Sequence, residues 1–330
     1  MITLKPISNL LHGKPILAIF EICLRCNSAC GYCDLPLNEG REELSREEIK
    51  TIFTKLYADG IRFLFIQGGE PTVRRDLIEV LNDLHEIGFK LTLITNGTRL
   101  TEKFLNKLSA LPVSISVSLD TLDQERYKFI RGADQLSRVL DGLNNLEDYP
   151  HPKYVTCIIT EQNRNDALQV TEFARSKGFI PVVGAYHWGV ERYGKSDPTL
   201  QYQRDAAVEV FKQIIQSELV PQGYFRNYLY DNVKWLSGES LSACDAGRYS
   251  ISIDSSGNVA PCLALTHSGN LRQQSLNEIL QQFDQASIKE CSNKSSCNMM
   301  CSRVIGSALK KPLSSIRTPK KLKKYTAATN

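Results

Sequence analysis

Cysteines 26, 30 and 33 sit in the run Cys26-Asn27-Ser28-Ala29-Cys30-Gly31-Tyr32-Cys33, directly after the apolar stretch 16–22, ILAIFEI. The spacing C-x3-C-x2-C gathers three thiols on one tight loop at the end of a strand. Three thiolates can hold three irons of a four-iron cluster and leave the fourth iron without a protein ligand. Clusters that only carry electrons usually have four cysteines. An open position instead admits a substrate, by the logic that separates catalytic from structural zinc. A zinc site that adds Cys23 is the competing reading of this spacing.

The other cysteines point the same way. Ten cysteines among 330 residues fall well below the density of a secreted disulfide scaffold, and clustered cysteines in such a chain indicate metal or redox chemistry. Cys157 stands alone, while Cys244, Cys262, Cys291, Cys297 and Cys301 gather in the last third. Two separate metal centres are expected.

Around the first loop the chain alternates strand and helix. Strands are expected at 16–22, 62–66, 90–95, 113–119, 154–160 and 180–186. Helices are expected at 45–58, opened by the capping box of Ser45 and Glu48, and at 76–87, 101–109, 123–130, 138–146 and 165–177. About six such repeats imply a parallel sheet, because each parallel crossover needs a helix. An open doubly wound sheet or a barrel fits. No G-x-G-x-x-G follows the first strand, which weakens a dinucleotide fold. In both architectures the C-terminal ends of the strands carry the chemistry. The pattern stops near 190. Helices near 202–217 and 224–236, a hairpin at 251–254 and 258–261, and a short helix at 275–283 follow.

Gln67-Gly68-Gly69-Glu70-Pro71 lies where the second strand leaves the sheet. Its glycines allow a close backbone approach to a ligand, and Pro71 holds Glu70 extended.

Taken together, the cysteine loop with Tyr32 before its last thiol, the Gly68-Gly69-Glu70-Pro71 turn and the strand–helix alternation resemble the radical S-adenosylmethionine (SAM) superfamily over roughly 15–190. Weaker points of likeness are Thr95-Asn96-Gly97, Ser116-Val117-Ser118-Leu119-Asp120 and Ile130-Arg131-Gly132. The resemblance implies an α/β fold, a partial (β/α)6 TIM-like barrel with a small C-terminal iron–sulfur extension. It implies a [4Fe–4S] cluster on Cys26, Cys30 and Cys33 whose open iron binds SAM. By the same resemblance Tyr32 packs near the adenine, and Gly68, Gly69 and Glu70 meet the methionine ammonium. Ser118 and Arg131 are candidates for the ribose and the carboxylate. Reductive cleavage of SAM would then give a 5′-deoxyadenosyl radical that takes hydrogen from an unreactive C–H bond.

The later spacing, Cys244-x12-Gly257-x4-Cys262 and then Cys291-x5-Cys297-x3-Cys301, is similar to the SPASM extension or its shorter relative, twitch. Both hold auxiliary iron–sulfur clusters. The full SPASM pattern has a cysteine where this chain has Ile288, and another downstream of Cys301. Five thiols cannot complete two four-cysteine clusters, so one auxiliary [4Fe–4S] cluster is expected on Cys244, Cys262, Cys301 and either Cys291 or Cys297. Zinc is the alternative occupant. The thiol left over from Cys291 and Cys297, or Cys157, is a candidate hydrogen donor to a substrate radical, and Cys23 reads as packing.

The expected organisation is an N-terminal segment 1–15, the barrel 16–190, a helical linker 191–240, an auxiliary-cluster domain 241–309 and a basic disordered tail 310–330. Seven positive charges and no acid fall in that tail, so the net charge of +4 becomes −3 for the rest, and nucleic acid is not an expected partner. No stretch near the start approaches the ~18 apolar residues of a membrane span, and no signal-peptide pattern opens the chain. A cytoplasmic protein is expected.

The resemblance implies an enzyme that acts on a peptide or small metabolite (maturation, epimerisation, dehydrogenation or crosslinking), with a flavodoxin or ferredoxin as reductant. About fifteen residues precede the first strand, which leaves no room for a leader-peptide-binding domain. The length and architecture also resemble the GTP-acting molybdenum-cofactor cyclases. Those end in Gly-Gly and use a C-x2-C pair in their second cluster, features absent from Thr326-Ala327-Ala328-Thr329-Asn330 and from the cysteines of the last third, so that reading is set aside. The rival from another class is a non-catalytic iron–sulfur or zinc carrier or interaction module. It accounts for both cysteine groups but not for the open spacing beside Gly-Gly-Glu-Pro.

Overall fold

In the computed structural model, which describes residues 5–38, 42–188, 197–293, 297–300 and 303, six parallel strands lie side by side in chain order. They are β1 (Leu17–Cys23), β2 (Phe63–Gly68), β3 (Lys90–Thr95), β4 (Val113–Ser118), β5 (Lys153–Ile159) and β6 (Ile180–Ala185). Helix α1 (Lys5–Leu11) precedes them. The crossovers are α2 (Arg46–Ala58), α3 (Leu77–Ile87), α4 (Glu102–Leu108), the pair α5 (Gln124–Arg131) and α6 (Leu136–Asn145), and α7 (Ala167–Ser176). This is the expected partial barrel. Ser45 and Glu48 close the capping box that starts α2, and Gly88 and Gly132 end α3 and α5 in left-handed conformation, where glycine carries no steric penalty.

Side chains alternate across the strands, as the pleat requires. On β2 and β3, Leu64, Ile66, Leu91 and Leu93 are buried in the main core, while Phe65, Gln67, Thr92 and Ile94 alternate with them and line cavities inside the barrel. β1 is buried along its whole length because the C-terminal region covers its inner face: Leu17 and Ile19 cluster with Leu263, Phe65 and Met299.

The helices α8 (Arg204–Gln216) and α9 (Tyr224–Leu236), expected as a linker, pack onto the barrel, α8 on α7 and α9 on β6. Phe211, Ile214, Leu229 and Trp235 belong to one apolar core with Ile66 and Leu93. The C-terminal hairpin extends the same sheet. β7 (Ser250–Ile253) pairs parallel with β1, and β8 (Asn258–Ala260) and β9 (Gly269–Asn270) follow antiparallel, giving the order β6-β5-β4-β3-β2-β1-β7-β8-β9. Arg272 ties this hairpin to α2 through Glu48. Two helices, α10 (Leu276–Gln281) and α11 (Gln285–Asn293), lead toward the last cysteines. Cys301 and the basic tail lie outside the described residues. Among the described residues no helix is long and apolar enough to cross a membrane.

Candidate functional site

The cysteine loop leaves β1 and is fixed by the end of α5. Ala29 N–H donates to Arg131 C=O at 3.0 Å and Gly31 N–H to Ile130 C=O at 2.9 Å. A side chain at Gly132 would place its Cβ 2.2 Å from the Ala29 carbonyl oxygen, which explains Ile130-Arg131-Gly132. The other flank is held by amides. Asn96 Nδ2 donates to Asn27 Oδ1 at 2.8 Å, Asn27 Nδ2 to Thr98 Oγ1 at 2.8 Å, and Gln135 Nε2 to Asn27 C=O at 3.1 Å.

Cys26, Cys30 and Cys33 all face one cavity of about 320 Å³. Burial pushes the Cys26 thiol up to about 11 and the Cys33 thiol up to about 12, and the neighbouring Cys30 thiol adds to both. Such thiols ionise only against a bound cation. Cys23 points elsewhere. Its Sγ–H donates to Glu70 C=O at 3.4 Å, and burial raises it to about 12, so it packs and does not join the three.

The glycines of Gly68-Gly69-Glu70-Pro71 serve a close approach within the chain. A Cβ at Gly68, where φ is +145°, would stand 2.1 Å from Cys23 C=O, and one at Gly69 would stand 2.2 Å from Arg25 C=O. Gly69 and Glu70 N–H donate to those same two carbonyls at 2.8 Å each. The turn is thus zipped to the root of the cysteine loop. The Glu70 carboxylate, 1% exposed, accepts from Thr72 N–H, Thr72 Oγ1, Thr95 Oγ1 and Asn96 N–H at 2.6–3.0 Å. It ties β2 to β3 and accounts for Thr95-Asn96.

On the far wall, Asp120 is fully buried. It accepts from the Tyr32 hydroxyl at 2.9 Å and from Ile158 N–H at 2.9 Å, and lies 2.8 Å from Arg131 Nη2. Burial opposes the Arg131 charge, but Asp120 beside it more than offsets this, so Arg131 stays a cation. Its Nη1 reaches toward Cys30 Sγ at 3.9 Å, while Nε and Nη2 are buried without a well-aligned acceptor. With Nη2 on Asp120, the Nε of this buried cation is the donor left over, and beside three thiols it suits an anionic group in the cavity. Asp120, quoted in the strand motif but not read as a site residue, was signalled only by its place at the C-terminal end of β4.

Tyr32, Gly68, Gly69, Glu70, Ser118 and Arg131 all line the same cavity as the three thiols. His187 lines it as well, and Leu263 and Met299 enter from the C-terminal region. Burial lowers the His187 ring to about 4, with a backbone hydrogen bond to Ala185 opposing the shift. The imidazole is therefore neutral at pH 7, and its Nε2 accepts from Asn298 N–H at 3.0 Å. Trp188 packs on Tyr186 and Tyr202. Cys157 is corrected as a hydrogen donor. It is 1% exposed on the helix-facing side of β5 and its Sγ–H is directed to Asp120 C=O, while Ile158 faces the cavity.

A second thiol group forms in the C-terminal region. Cys262 is raised to about 12 by burial and by Cys244 and Cys291 nearby. Burial raises Cys244 as well, with Cys291 adding to it, while Arg303 opposes. A hydrogen bond with Cys291 and then burial push Cys297 up, with Cys244 again in reach. Cys291 thus lies near Cys244, Cys262 and Cys297, and Cys297 near Cys244. The structure does not single out one of the pair, and Cys301 lies outside the described residues. Among the described residues no three His, Cys, Asp or Glu side chains converge as around a single ion.

The six-stranded parallel partial barrel carries its three thiols on the loop after the C-terminal end of β1. Residues 20–174 match the Radical SAM superfamily, and residues 244–303 match the iron-sulfur cluster-binding SPASM domain. The chain belongs to the radical SAM superfamily, with a C-terminal SPASM domain. A probable GTP 3′,8-cyclase of Methanothermobacter thermautotrophicus is 33% identical over 175 residues, 51% of this chain and 57% of that protein. The chain thus spans little more than half the length of that relative. The PqqA peptide cyclase of Rhizobium meliloti is 27% identical over 286 residues, 80% of this chain and 73% of that protein. Among solved structures, Streptococcus suis SuiB bound to precursor peptide SuiA superposes with a TM-score of 0.69 at 18% identity, covering 89% of this chain and 74% of that one. The protein anSMEcpe with bound AdoMet gives 0.65 at 17% identity, covering 94% and 96%. These structural likenesses concern the fold.

Proposed function

We propose that the chain is a radical SAM enzyme that acts on a peptide. The carrying observation is one cavity in which Cys26, Cys30 and Cys33 meet Tyr32, Gly68, Gly69, Glu70, Ser118 and the buried guanidinium of Arg131. The three thiols fit a [4Fe–4S] cluster with an open iron for SAM. Held by these residues and reduced, such a cluster would supply the one electron for cleavage of SAM to methionine and a 5′-deoxyadenosyl radical, which would take hydrogen from the substrate. The chain's own residues position and shield. Tyr32, oriented by Asp120, offers its ring to the adenine, and the Gly68–Glu70 backbone meets the methionine ammonium. Ser118 is placed for the ribose and Arg131 for the carboxylate. The apolar wall of Ile94, Leu263 and Met299 keeps water from the radical.

The SPASM region holds one auxiliary [4Fe–4S] cluster, on four of Cys244, Cys262, Cys291, Cys297 and Cys301. A match to a peptide cyclase extends over 80% of the chain, whereas a match to a GTP 3′,8-cyclase covers 51%. This favours a peptide substrate over a nucleotide. A flavodoxin or ferredoxin fits as reductant. The test is anaerobic: iron-loaded, dithionite-reduced protein is given SAM and 5′-deoxyadenosine is measured. The nucleoside should form, and it should vanish when Cys26, Cys30 and Cys33 are all alanine. A loaded parent that makes none is a carrier, not an enzyme.

A further inference from the structure

Residues 297–300 touch three places at once. Cys297 is one of the C-terminal thiols, Met299 lines the cavity that holds Cys26, Cys30 and Cys33, and Met300 lines a second cavity of about 470 Å³ toward the other end of the strands. Asn298 between them is fully buried. Its N–H donates to His187 Nε2 at 3.0 Å, its C=O accepts from the Tyr228 hydroxyl at 2.7 Å, and its Nδ2 donates to Asn232 Oδ1 at 3.0 Å. Only its Oδ1 lacks a partner. Asn232 Nδ2 in turn donates to Tyr228 C=O at 3.0 Å, and the His187 ring stacks on Trp235 with centroids 4.6 Å apart.

Asn298 is the buried residue of this partly buried stretch, and its backbone groups are satisfied by the side chains of His187, two residues past β6, and of Tyr228 on α9. Buried backbone groups need such partners, so the three contacts fix where the stretch can lie. From that anchor it crosses the concave face of the sheet. Met300 fills the space left by Gly184 on β6, where a Cβ would stand 3.1 Å from its Cε. Met299 reaches the other side and packs with Leu17, Ile19, Phe65 and Leu263.

We infer that Cys297–Met300 is a strut through which the auxiliary centre sets the wall of the SAM cavity, with His187 as the positioning residue that anchors it from the barrel. The inference rests on the reading of Cys297 as an auxiliary ligand. Met299 follows Cys297 by two residues, at most ~7 Å of chain, so ligation at Cys297 restricts where Met299 can stand. Coupling of this kind is reciprocal: SAM in the cavity, pressing on Met299, must also steady the auxiliary segment.

The chain contains three methionines, Met1, Met299 and Met300, so methyl-¹³C methionine labelling reads the strut with three signals. Met299→Leu and Met300→Leu assign them in the iron-loaded, oxidised protein. His187→Leu, which removes the acceptor for Asn298, should shift and broaden both strut methyls while the iron content is retained. His187→Gln, whose amide oxygen can accept that N–H, should restore them. Cys297→Ser should lower the iron content and move the Met299 signal. SAM alone should move the Met299 methyl more than the Met300 methyl. The strut is wrong if His187→Leu leaves both methyls in place, if His187→Leu and His187→Gln act alike, or if Cys297→Ser moves neither iron nor Met299. No turnover is needed, so these outcomes are independent of whether 5′-deoxyadenosine forms.

Discussion

Ala29 N–H donates to Arg131 C=O across 3.0 Å, joining the middle of the cysteine loop to the last residue of α5, about a hundred positions later in the chain. Gly132 follows at once, with φ +64° and no room for a side chain against Ala29. Left-handed backbone alone costs an alanine about 1 kcal/mol relative to glycine, and the clash adds to it. Gly132→Ala should therefore loosen the cysteine loop, with about half the iron lost and the auxiliary centre kept. Iron analysis of the variant checks this.

Asp120 is the charge on which the far wall depends. Removing it leaves Arg131, 6% exposed, as a buried cation without its partner, a change that costs about 3–5 kcal/mol. Asp120→Ala should lower the urea midpoint of the protein accordingly and release the Tyr32 hydroxyl. Asp120→Asn, which keeps the acceptor oxygen, should lose less. Equal midpoints for Asp120→Ala and the parent would remove Asp120 from this role.

Much of this was legible in the sequence because its signals are local. The C-x3-C-x2-C loop, Gly68-Gly69-Glu70-Pro71 and the capping box at Ser45 are each written within a few residues, and strand–helix alternation repeats often enough to reveal a parallel sheet. What stayed hidden is long-range. The pairing of Leu17–Phe20 with Ser250–Ile253 joins segments some 230 positions apart, and nothing in SISI distinguishes it from an isolated hairpin strand. The apolar faces of α8 and α9 were visible as helices, but not what they cover. The glycines at 68 and 69 were read as making room for a ligand; the structure shows them making room for the backbone of the cysteine loop. Cys157 shows the same limit, since a strand residue's facing depends on register that only the neighbouring strands fix.

His187 gives the acid side of the stability profile a sign. Its ring has a pKa of about 4 in the folded protein against 6.5 ordinarily, chiefly through burial. On acidification the unfolded chain takes up the proton first, so this contribution is complete above pH 6.5 and is lost as pH falls toward 4. At 1.36 kcal/mol per unit the ceiling is ~3 kcal/mol, reduced because the ring keeps some contact with the cavity. Urea midpoints at pH 7.5 and 5 should fall further for the parent than for His187→Gln. Parallel profiles would show that the ring is not held neutral.

With the one auxiliary cluster proposed, the protein should carry about eight irons per chain after anaerobic reconstitution. Replacing Cys26, Cys30 and Cys33 together by alanine should halve that number, as should replacing Cys244 and Cys262 together. The second pair should also lower thermal stability, because cluster binding contributes folding free energy to the C-terminal region. About twelve irons in the parent would require a second auxiliary cluster.

Electron paramagnetic resonance of the iron-loaded, dithionite-reduced protein, recorded before and after SAM is added, addresses the open iron itself. SAM should change the signal of the one cluster that is missing from the Cys26/Cys30/Cys33 triple alanine variant, and the auxiliary signal should keep its g-values. A spectrum unchanged at saturating SAM would contradict a SAM-binding open-iron site in this cavity.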